Sequence, residues 1–277
     1  MLDNRTLTGI DAHAHVFSHT LTLAGGRRYT PGYDAPLADY LEHLHANGLS
    51  HGVLVQPSFL GTDNRYLLGA LQQAPERLRG VVVVDRQVAP ETLQAMARQG
   101  VVGVRLNLVG LPLPDFAAPG WAVFFQRLVE LGWHVELHRE LDDLPHLVRQ
   151  LLPFGVKLVI DHFGRPDARR GVDQPAFGEL LALGASAQVW LKVSGIYRLA
   201  GTPEQNLEFA RAAMPLLAQS FGLERLVWGS DWPHTQHENR ISYASVVEQR
   251  QALGFSKSVQ QALLIDTPSR LFGFEHT

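Results

Sequence analysis

Two histidines stand two positions apart in the stretch DAHAHVF, residues 11–17. Side chains alternate between the two faces of a β-strand, so this spacing predicts that His13 and His15 point the same way, with Asp11 on the same face. Imidazole serves equally well as a metal ligand, as a general acid or base, and as a hydrogen-bond donor. The pair therefore predicts a functional site, and the residues alone leave its chemistry open.

A second candidate group is the arginine of the apolar stretch VRLNL, in which Arg105 and Asn107 fall on one face. A guanidinium directed into the interior of a fold requires an anion. An internal salt bridge to Asp11, Glu136 or Asp161 would explain one such arginine as well as a substrate would.

Two more arginines, Arg165 and Arg198, follow later apolar runs in the same way. Three arginines at the ends of strands favour a substrate with more than one carboxylate, because arginine binds a carboxylate through two parallel hydrogen bonds. Asp231, in WGSDWPH, suits a turn, and it also suits a general base that faces the histidine pair.

The elements that must position these residues are eight short apolar runs separated by segments with helical spacing. The runs are GIDAHAHVF, HGVLVQPS, LRGVVVVD, VVGVRLNLV, HVELHRE, KLVIDHFG, VWLKVSGI and RLVWGSDWP. The helical segments include PLADYLEHLHANG, PETLQAMARQG, WAVFFQRLVELG, LDDLPHLVRQLLPFG and PEQNLEFARAAMPLLAQSFG, with a closing helix and an extra helix after the eighth run. Strand alternating with helix predicts βαβ units.

Eight such units predict a single (β/α)8 barrel domain that spans residues 1–277. The competing fold, a doubly wound open sheet, lacks support because no G-x-G-x-x-G follows the first strand. In a (β/α)8 barrel the catalytic residues lie at the C-terminal ends of the strands. The polar residues at those ends are His13, His15, Gln56, Ser58, Arg105, Asn107, His138, Arg139, His162, Arg165, Ser194, Tyr197, Arg198, Asp231 and His234. No chemistry is predicted for His43, His45, His51, His146 and His276.

Composition excludes several classes of protein. Hydrophobic residues make up 45% of the chain and charged residues 18%, with a formal net charge of -3, which is typical of a globular enzyme. The chain has no run of basic residues of the kind that binds nucleic acid, so no nucleic-acid partner is predicted. The absence of cysteine excludes disulfides and thiolate ligands.

The first strand begins near residue 9 and no apolar run could span a bilayer, so the expected location is the cytoplasm, with no membrane partner. The sequence leaves open whether the chain forms a homo-oligomer.

The motifs VIDHFGRPD, KVSGIYR and VWGSDWPH, together with DAHAHVF, VQPS and GVRLN, resemble the amidohydrolase superfamily. They are most similar to its lactonase branch, which includes 2-pyrone-4,6-dicarboxylate hydrolase. The resemblance implies a distorted (β/α)8 barrel that hydrolyses a small carboxylated lactone, most simply 2-pyrone-4,6-dicarboxylate in the catabolism of aromatic compounds.

The resemblance also implies roles for individual residues. Asp231 would deprotonate water, and His13, His15 and His162 would polarise the lactone carbonyl. The substrate would be bound by Arg105, Arg165, Arg198, Ser58, Tyr197, Asn107 and His234. The branch implies no required metal.

Two alternatives remain. Metal-dependent members of the superfamily carry a ligand where His138 stands, so His13, His15, His138 and Asp231 would form a zinc site in a sugar-acid lactonase or an aromatic-acid decarboxylase. A non-catalytic barrel that binds carboxylates is the other alternative.

Overall fold

A computed structural model describes residues 6–275, which form one eight-stranded parallel sheet with the strands in sequence order. The segment after the last strand pairs with the first strand, since Ala12 N donates to Trp228 O at 3.0 Å and His15 N donates to Trp232 O at 2.7 Å. These bonds close the sheet into a barrel. The predicted (β/α)8 barrel is therefore confirmed.

All eight predicted strands are present in the described residues. They are β1 (Ile10–Ala14), β2 (His51–Val55), β3 (Leu78–Val82), β4 (Val101–Asn107), β5 (His134–His138), β6 (Lys157–Ile160), β7 (Val189–Lys192) and β8 (Leu226–Val227). Most of their residues are buried, as expected for parallel strands covered by helices.

The helices that connect the strands are α1 (Leu37–Ala46), α2 (Arg65–Gln73), α3 (Pro90–Ala97), α4 (Trp121–Glu130), α5 (Leu144–Leu151), α6 (Pro175–Ala182) and α7 (Pro203–Phe221). After β8 come α8 (Tyr243–Ala252), α9 (Lys257–Gln261) and α10 (Thr267–Phe272), the last two joined by a π-helical turn, Ala262–Asp266. The sequence analysis does not include α2 and α6. Within residues 6–275, no helix has both the length and the apolar character that crossing a membrane requires. His276 lies outside the described residues.

The start of α7 illustrates how local sequence sets the helix boundaries. The side chain of Thr202 accepts a hydrogen bond from Gln205 N, and the side chain of Gln205 accepts one from Thr202 N. Pro203 occupies the first helical position, where its missing N–H costs nothing. This boundary holds the preceding loop, which contains Tyr197 and Arg198, against the mouth of the barrel.

The apolar core has two parts. Outward-facing strand residues such as Leu54, Val104 and Leu191 pack against the helices in one large cluster. A smaller cluster fills the lower end of the barrel, where inward-facing valines of several strands meet Phe272, the last residue of α10, and Phe274 just beyond it. Because this end is packed with apolar side chains, only the opposite end, where the strands terminate, has space for a site.

Candidate active site

A cavity of about 440 Å³ opens at the C-terminal ends of the strands. It brings together most of the residues that the sequence analysis assigned to a site. From the first half of the chain it is lined by His15, Ser58, Arg105, Asn107 and His138. From the second half it is lined by His162, Arg165, Tyr197, Arg198 and Asp231.

Two predicted residues lie behind this wall. His13 is fully buried beneath His15, with 3.3 Å between the two Nε2 atoms. His234 is buried next to Tyr197, at 5.7 Å between ring centroids, and it does not line the cavity. The structure therefore does not place His234 where the predicted substrate contact would require it, because the chain turns after Asp231 and directs this ring away from the opening.

Asp11 does not share the face of His13 and His15, so that part of the strand prediction is wrong. Its carboxylate accepts hydrogen bonds from Ser230 N at 2.7 Å and from the Tyr243 hydroxyl at 3.0 Å, on the side of the helices. The pairing register of β1 shifts between Asp11 and Ala14. Such a bulge changes the direction of the side chains that follow it, so strict alternation fails at this point.

Asp231 lies at the centre of the site. Its Oδ2 accepts hydrogen bonds from the Tyr197 hydroxyl at 2.6 Å and from Arg198 Nε. Its Oδ1 lies 3.6 Å from His15 Nε2 and 3.8 Å from His13 Nε2. Burial alone would raise the pKa of Asp231, but the Arg198 charge holds that pKa well below its usual range. The carboxylate is therefore ionised at neutral pH, and Oδ1 remains available for a proton.

The histidines around Asp231 are neutral at neutral pH. Burial lowers the pKa of His13 and His15, and it lowers the pKa of His162 to about 3. His15 Nδ1 lies 2.7 Å from Val55 O, and a backbone carbonyl can only accept, so this nitrogen carries the ring proton. His15 Nε2 is therefore an acceptor, which differs from the donor role that the sequence analysis expects for it.

The three predicted arginines have different partners. Arg105 donates to Asp161 Oδ2 at 2.8 Å through Nη2 and at 3.1 Å through Nε, so the internal salt bridge considered from the sequence is present. Arg198 is paired with Asp231. Arg165 has no carboxylate within 4.0 Å among residues 6–275, and one of its nitrogens lies 3.2 Å from His138 Nε2. Of the three, Arg165 is the guanidinium available for a ligand.

A fourth arginine was missed by the sequence analysis. Arg28, in the loop after β1, lines the cavity and donates to Asn107 Oδ1 at 3.1 Å. Its only signal in the sequence is the pair Arg27–Arg28, in a loop whose position the sequence does not reveal. With Arg165 it makes the cavity strongly positive, which suits an anionic ligand.

A buried layer of charged residues below the histidines was also missed as a unit. Lys192 Nζ donates to Glu136 Oε2 and lies 3.5 Å from Asp161 Oδ1. Burial and the Asp161 charge raise the pKa of Glu136 to about 8. Burial opposes ionisation of Asp161 as well, but the Arg105 and Lys192 charges hold its pKa well below its usual range. The signal for this layer is a charged residue on the inward face of β5 and of β7.

Two groups of side chains have the ligand types that a metal ion would need. They are His13, His162 and Asp231, and His13, Glu136 and Asp161, each with its ligand atoms within 4.8 Å of one another. The four residues of the predicted zinc set do not form such a group within residues 6–275. The reason is His138, whose ring nitrogens lie 3.1 Å from an Arg105 nitrogen and 3.2 Å from an Arg165 nitrogen, with both guanidiniums facing it.

Two relatives of this chain are named as hydrolases of cyclic esters. It is 34% identical to a 2-pyrone-4,6-dicarboxylate hydrolase from Comamonas testosteroni, covering 95% of this chain and 89% of that protein. It is 31% identical to a 4-sulfomuconolactone hydrolase from Hydrogenophaga intermedia, covering 95% and 88%.

A solved structure from Pseudomonas putida, provisionally described as a 2-pyrone-4,6-dicarboxylic acid hydrolase, superposes with a TM-score of 0.93. It is 62% identical in sequence, with 97% of this chain and 98% of that chain covered. Residues 10–274 match the amidohydrolase family, which is nearly the whole barrel and includes every residue of the cavity wall. The motifs that predicted this relationship are those that form the mouth of the barrel. The chain belongs to the amidohydrolase family.

Proposed function

We propose that this protein hydrolyses a small lactone that carries carboxylates, with 2-pyrone-4,6-dicarboxylate as the first candidate substrate. One observation carries the proposal: an ionised Asp231 with a free Oδ1 faces a cavity that also holds the unpaired guanidinium of Arg165. A general base beside a carboxylate-binding group is what hydrolysis of an anionic ester requires. The curated relatives from Comamonas testosteroni and Hydrogenophaga intermedia, both lactone hydrolases, support the same reaction class.

The reaction follows from the positions of these groups. Arg165 and Arg28 bind the substrate carboxylates and orient the ring. For Arg105 and Arg198, contact with the substrate remains a prediction from the sequence. Asp231 Oδ1 takes a proton from water as the water oxygen bonds to the lactone carbonyl carbon. His162, whose Nδ1 contacts Ser194 Oγ at 2.9 Å, directs Nε2 toward the reacting groups and stabilises the oxyanion. The ring C–O bond then breaks, and the proton on Asp231 passes to the departing oxygen.

A substrate panel tests this function. The purified protein is incubated with 2-pyrone-4,6-dicarboxylate, with other lactones that carry one or two carboxylates, and with uncharged lactones of similar size. We expect ring opening of carboxylated lactones only, with one proton released per ring. Tight binding of these lactones without ring opening would instead support a non-catalytic binding barrel.

We also propose that the reaction needs no metal ion. His138 is held by two guanidiniums, so it is not free to complete the zinc set of His13, His15, His138 and Asp231. The second candidate metal group, His13, Glu136 and Asp161, already contains a cation. Lys192 Nζ lies among these three side chains, where a metal ion would bind. The positive charge that a metal would supply is therefore provided by side chains.

Chelation should leave the activity unchanged. We expect protein dialysed against excess chelator to keep full turnover on its lactone, with zinc either inhibitory or without effect, because a metal would compete with protons for the imidazoles. Metal content is measured by elemental analysis of the same samples. Activity that disappears on chelation and returns in proportion to bound zinc would contradict the metal-free proposal.

The pH profile provides an independent check. The groups that face Asp231 are Arg198, Tyr197 and three neutral histidines, and the Arg198 charge keeps Asp231 ionised far below neutral pH. We therefore expect no loss of kcat/KM with a midpoint near pH 7. A zinc-bound water with a pKa of about 7 would lose activity as the pH falls through that value. Initial rates at low substrate concentration in overlapping buffers distinguish the two profiles.

A further inference from the structure

The buried lysine of β7 is a cation of the barrel interior that the proposed reaction does not use directly. The Lys192 side chain is fully buried and does not line the cavity. Its Nζ donates to Glu136 Oε2, lies 3.5 Å from Asp161 Oδ1, and lies 2.8 Å from His13 Nδ1. The ammonium group pairs with the ionised Asp161 and donates to Glu136, so its contact with His13 has a defined direction.

An ammonium ion has hydrogens to donate and no lone pair to accept with. The 2.8 Å contact therefore requires a lone pair on His13 Nδ1, and a neutral ring then carries its proton on Nε2. Carboxylate oxygens of Glu136 and Asp161 also lie near Nδ1, but each is 3.4 Å away, farther than the ammonium. The nearest partner of His13 thus selects one tautomer.

The contacts of His15 lead independently to the same tautomer of His13. His15 Nδ1 donates to Val55 O, so His15 Nε2 has only a lone pair. His13 Nε2 lies 3.3 Å from it, and such a contact between two nitrogens needs one hydrogen. Only His13 can supply it. Two contacts at opposite sides of the His13 ring therefore agree.

We propose that Lys192 is a positioning residue that holds the two histidines in these tautomers, with the His13 Nε2 hydrogen directed at His15 Nε2, and so leaves Asp231 Oδ1 without a hydrogen-bond donor from either ring. This inference rests on the proposed lactone hydrolysis for its catalytic meaning. Asp231 Oδ1 and His15 Nε2 are both acceptors and lie 3.6 Å apart. Because the His13 hydrogen already occupies the single lone pair of His15 Nε2, a substrate water donates to Asp231 Oδ1 alone, and a lone pair of the water oxygen can face the carbonyl carbon. If His13 carried its proton on Nδ1, its Nε2 would not donate to His15, and this arrangement would lose its support.

Nuclear magnetic resonance of histidine-labelled protein reads the tautomers directly and without substrate. In the unmodified protein we expect a deprotonated Nδ1 and a protonated Nε2 for His13, and the opposite pattern for His15. The variant Lys192→Met keeps the length of the side chain and removes the donor. We expect the His13 proton to move to Nδ1, facing Glu136 and Asp161, and kcat to fall about 10- to 100-fold with KM nearly unchanged, as for other partners that orient a functional histidine.

Two further variants keep the test informative if Lys192→Met folds poorly. Glu136→Gln retains the Lys192 donor, so His13 should keep its tautomer. The double variant Lys192→Met with Glu136→Gln removes both buried charges, and it should fold while showing the changed tautomer. An unchanged His13 tautomer in the variants that lack Lys192, or a protonated His13 Nδ1 in the original protein, would overturn the inference. Expected tautomers in a protein that opens no lactone would overturn the proposed function instead.

Discussion

Replacing Asp231 by asparagine is expected to lower turnover by roughly two to four orders of magnitude, the range for removal of a positioned general base. Asparagine preserves the shape of the side chain and can still accept hydrogen bonds from Tyr197 and Arg198 through its oxygen. Its amide group would face His15, and it cannot take a proton from water. The loss should therefore appear in kcat, while substrate affinity changes little.

The measurement combines steady-state kinetics with thermal unfolding, because Arg198 loses its buried counter-charge in this variant. Asp85→Asn serves as the matched control, since Asp85 is exposed and lies outside the cavity wall. We expect the control to behave as the original protein does. Near-normal turnover of Asp231→Asn would show that another group is the base.

Arg165 should make the largest single contribution to substrate recognition. Its guanidinium lines the cavity and has no carboxylate partner within 4.0 Å among the described residues. Replacing it by methionine keeps much of the side-chain volume and leaves the substrate carboxylate unpaired. Loss of a partner in a buried charge pair costs about 2 to 5 kcal/mol, which corresponds to a fall in kcat/KM of about 30-fold to several thousand-fold.

The effect should fall mainly on KM, because the carboxylate does not change during the reaction. Arg149→Met is the matched control, since Arg149 is half exposed and pairs with Glu179 outside the cavity. Methyl esters of the substrate supply the complementary change on the ligand. If the original protein hydrolyses such an ester as fast as the free acid, Arg165 does not act by binding carboxylate.

Much of the fold could be predicted from the sequence because its signals are local. Apolar runs such as KLVIDHFG and VWLKVSGI have the length and composition of buried strands, and their order with helices implies a parallel barrel. The short helices α2 and α6 were not identified, although both lie between correctly predicted strands. Their absence from the prediction did not change the fold, because eight parallel strands in order already require seven crossover connections.

The sequence predicted which residues belong to the site better than it predicted which side chains contact each other. The rule that barrel sites lie at strand ends selected His15, His162, Arg165 and Asp231, and all four line the cavity. The same rule selected His234, which the turn after Asp231 directs away from the opening. The position of a residue in the chain shows which strand end it follows. The direction of its side chain depends on how the local backbone bends.

The sequence by itself determined which residue types stand at each strand end, since strand and helix periodicity are properties of neighbouring residues. Only the tertiary structure decided which charge pairs with which. Arg105 pairs with Asp161, 56 positions away, and Lys192 contacts His13 across 179 positions. Arg198 pairs with Asp231, while Arg165 stays available. These pairings depend on distances across the closed barrel and on the bulge in β1, which separation along the chain does not reveal. They matter because charges in a buried site interact strongly where little water screens them.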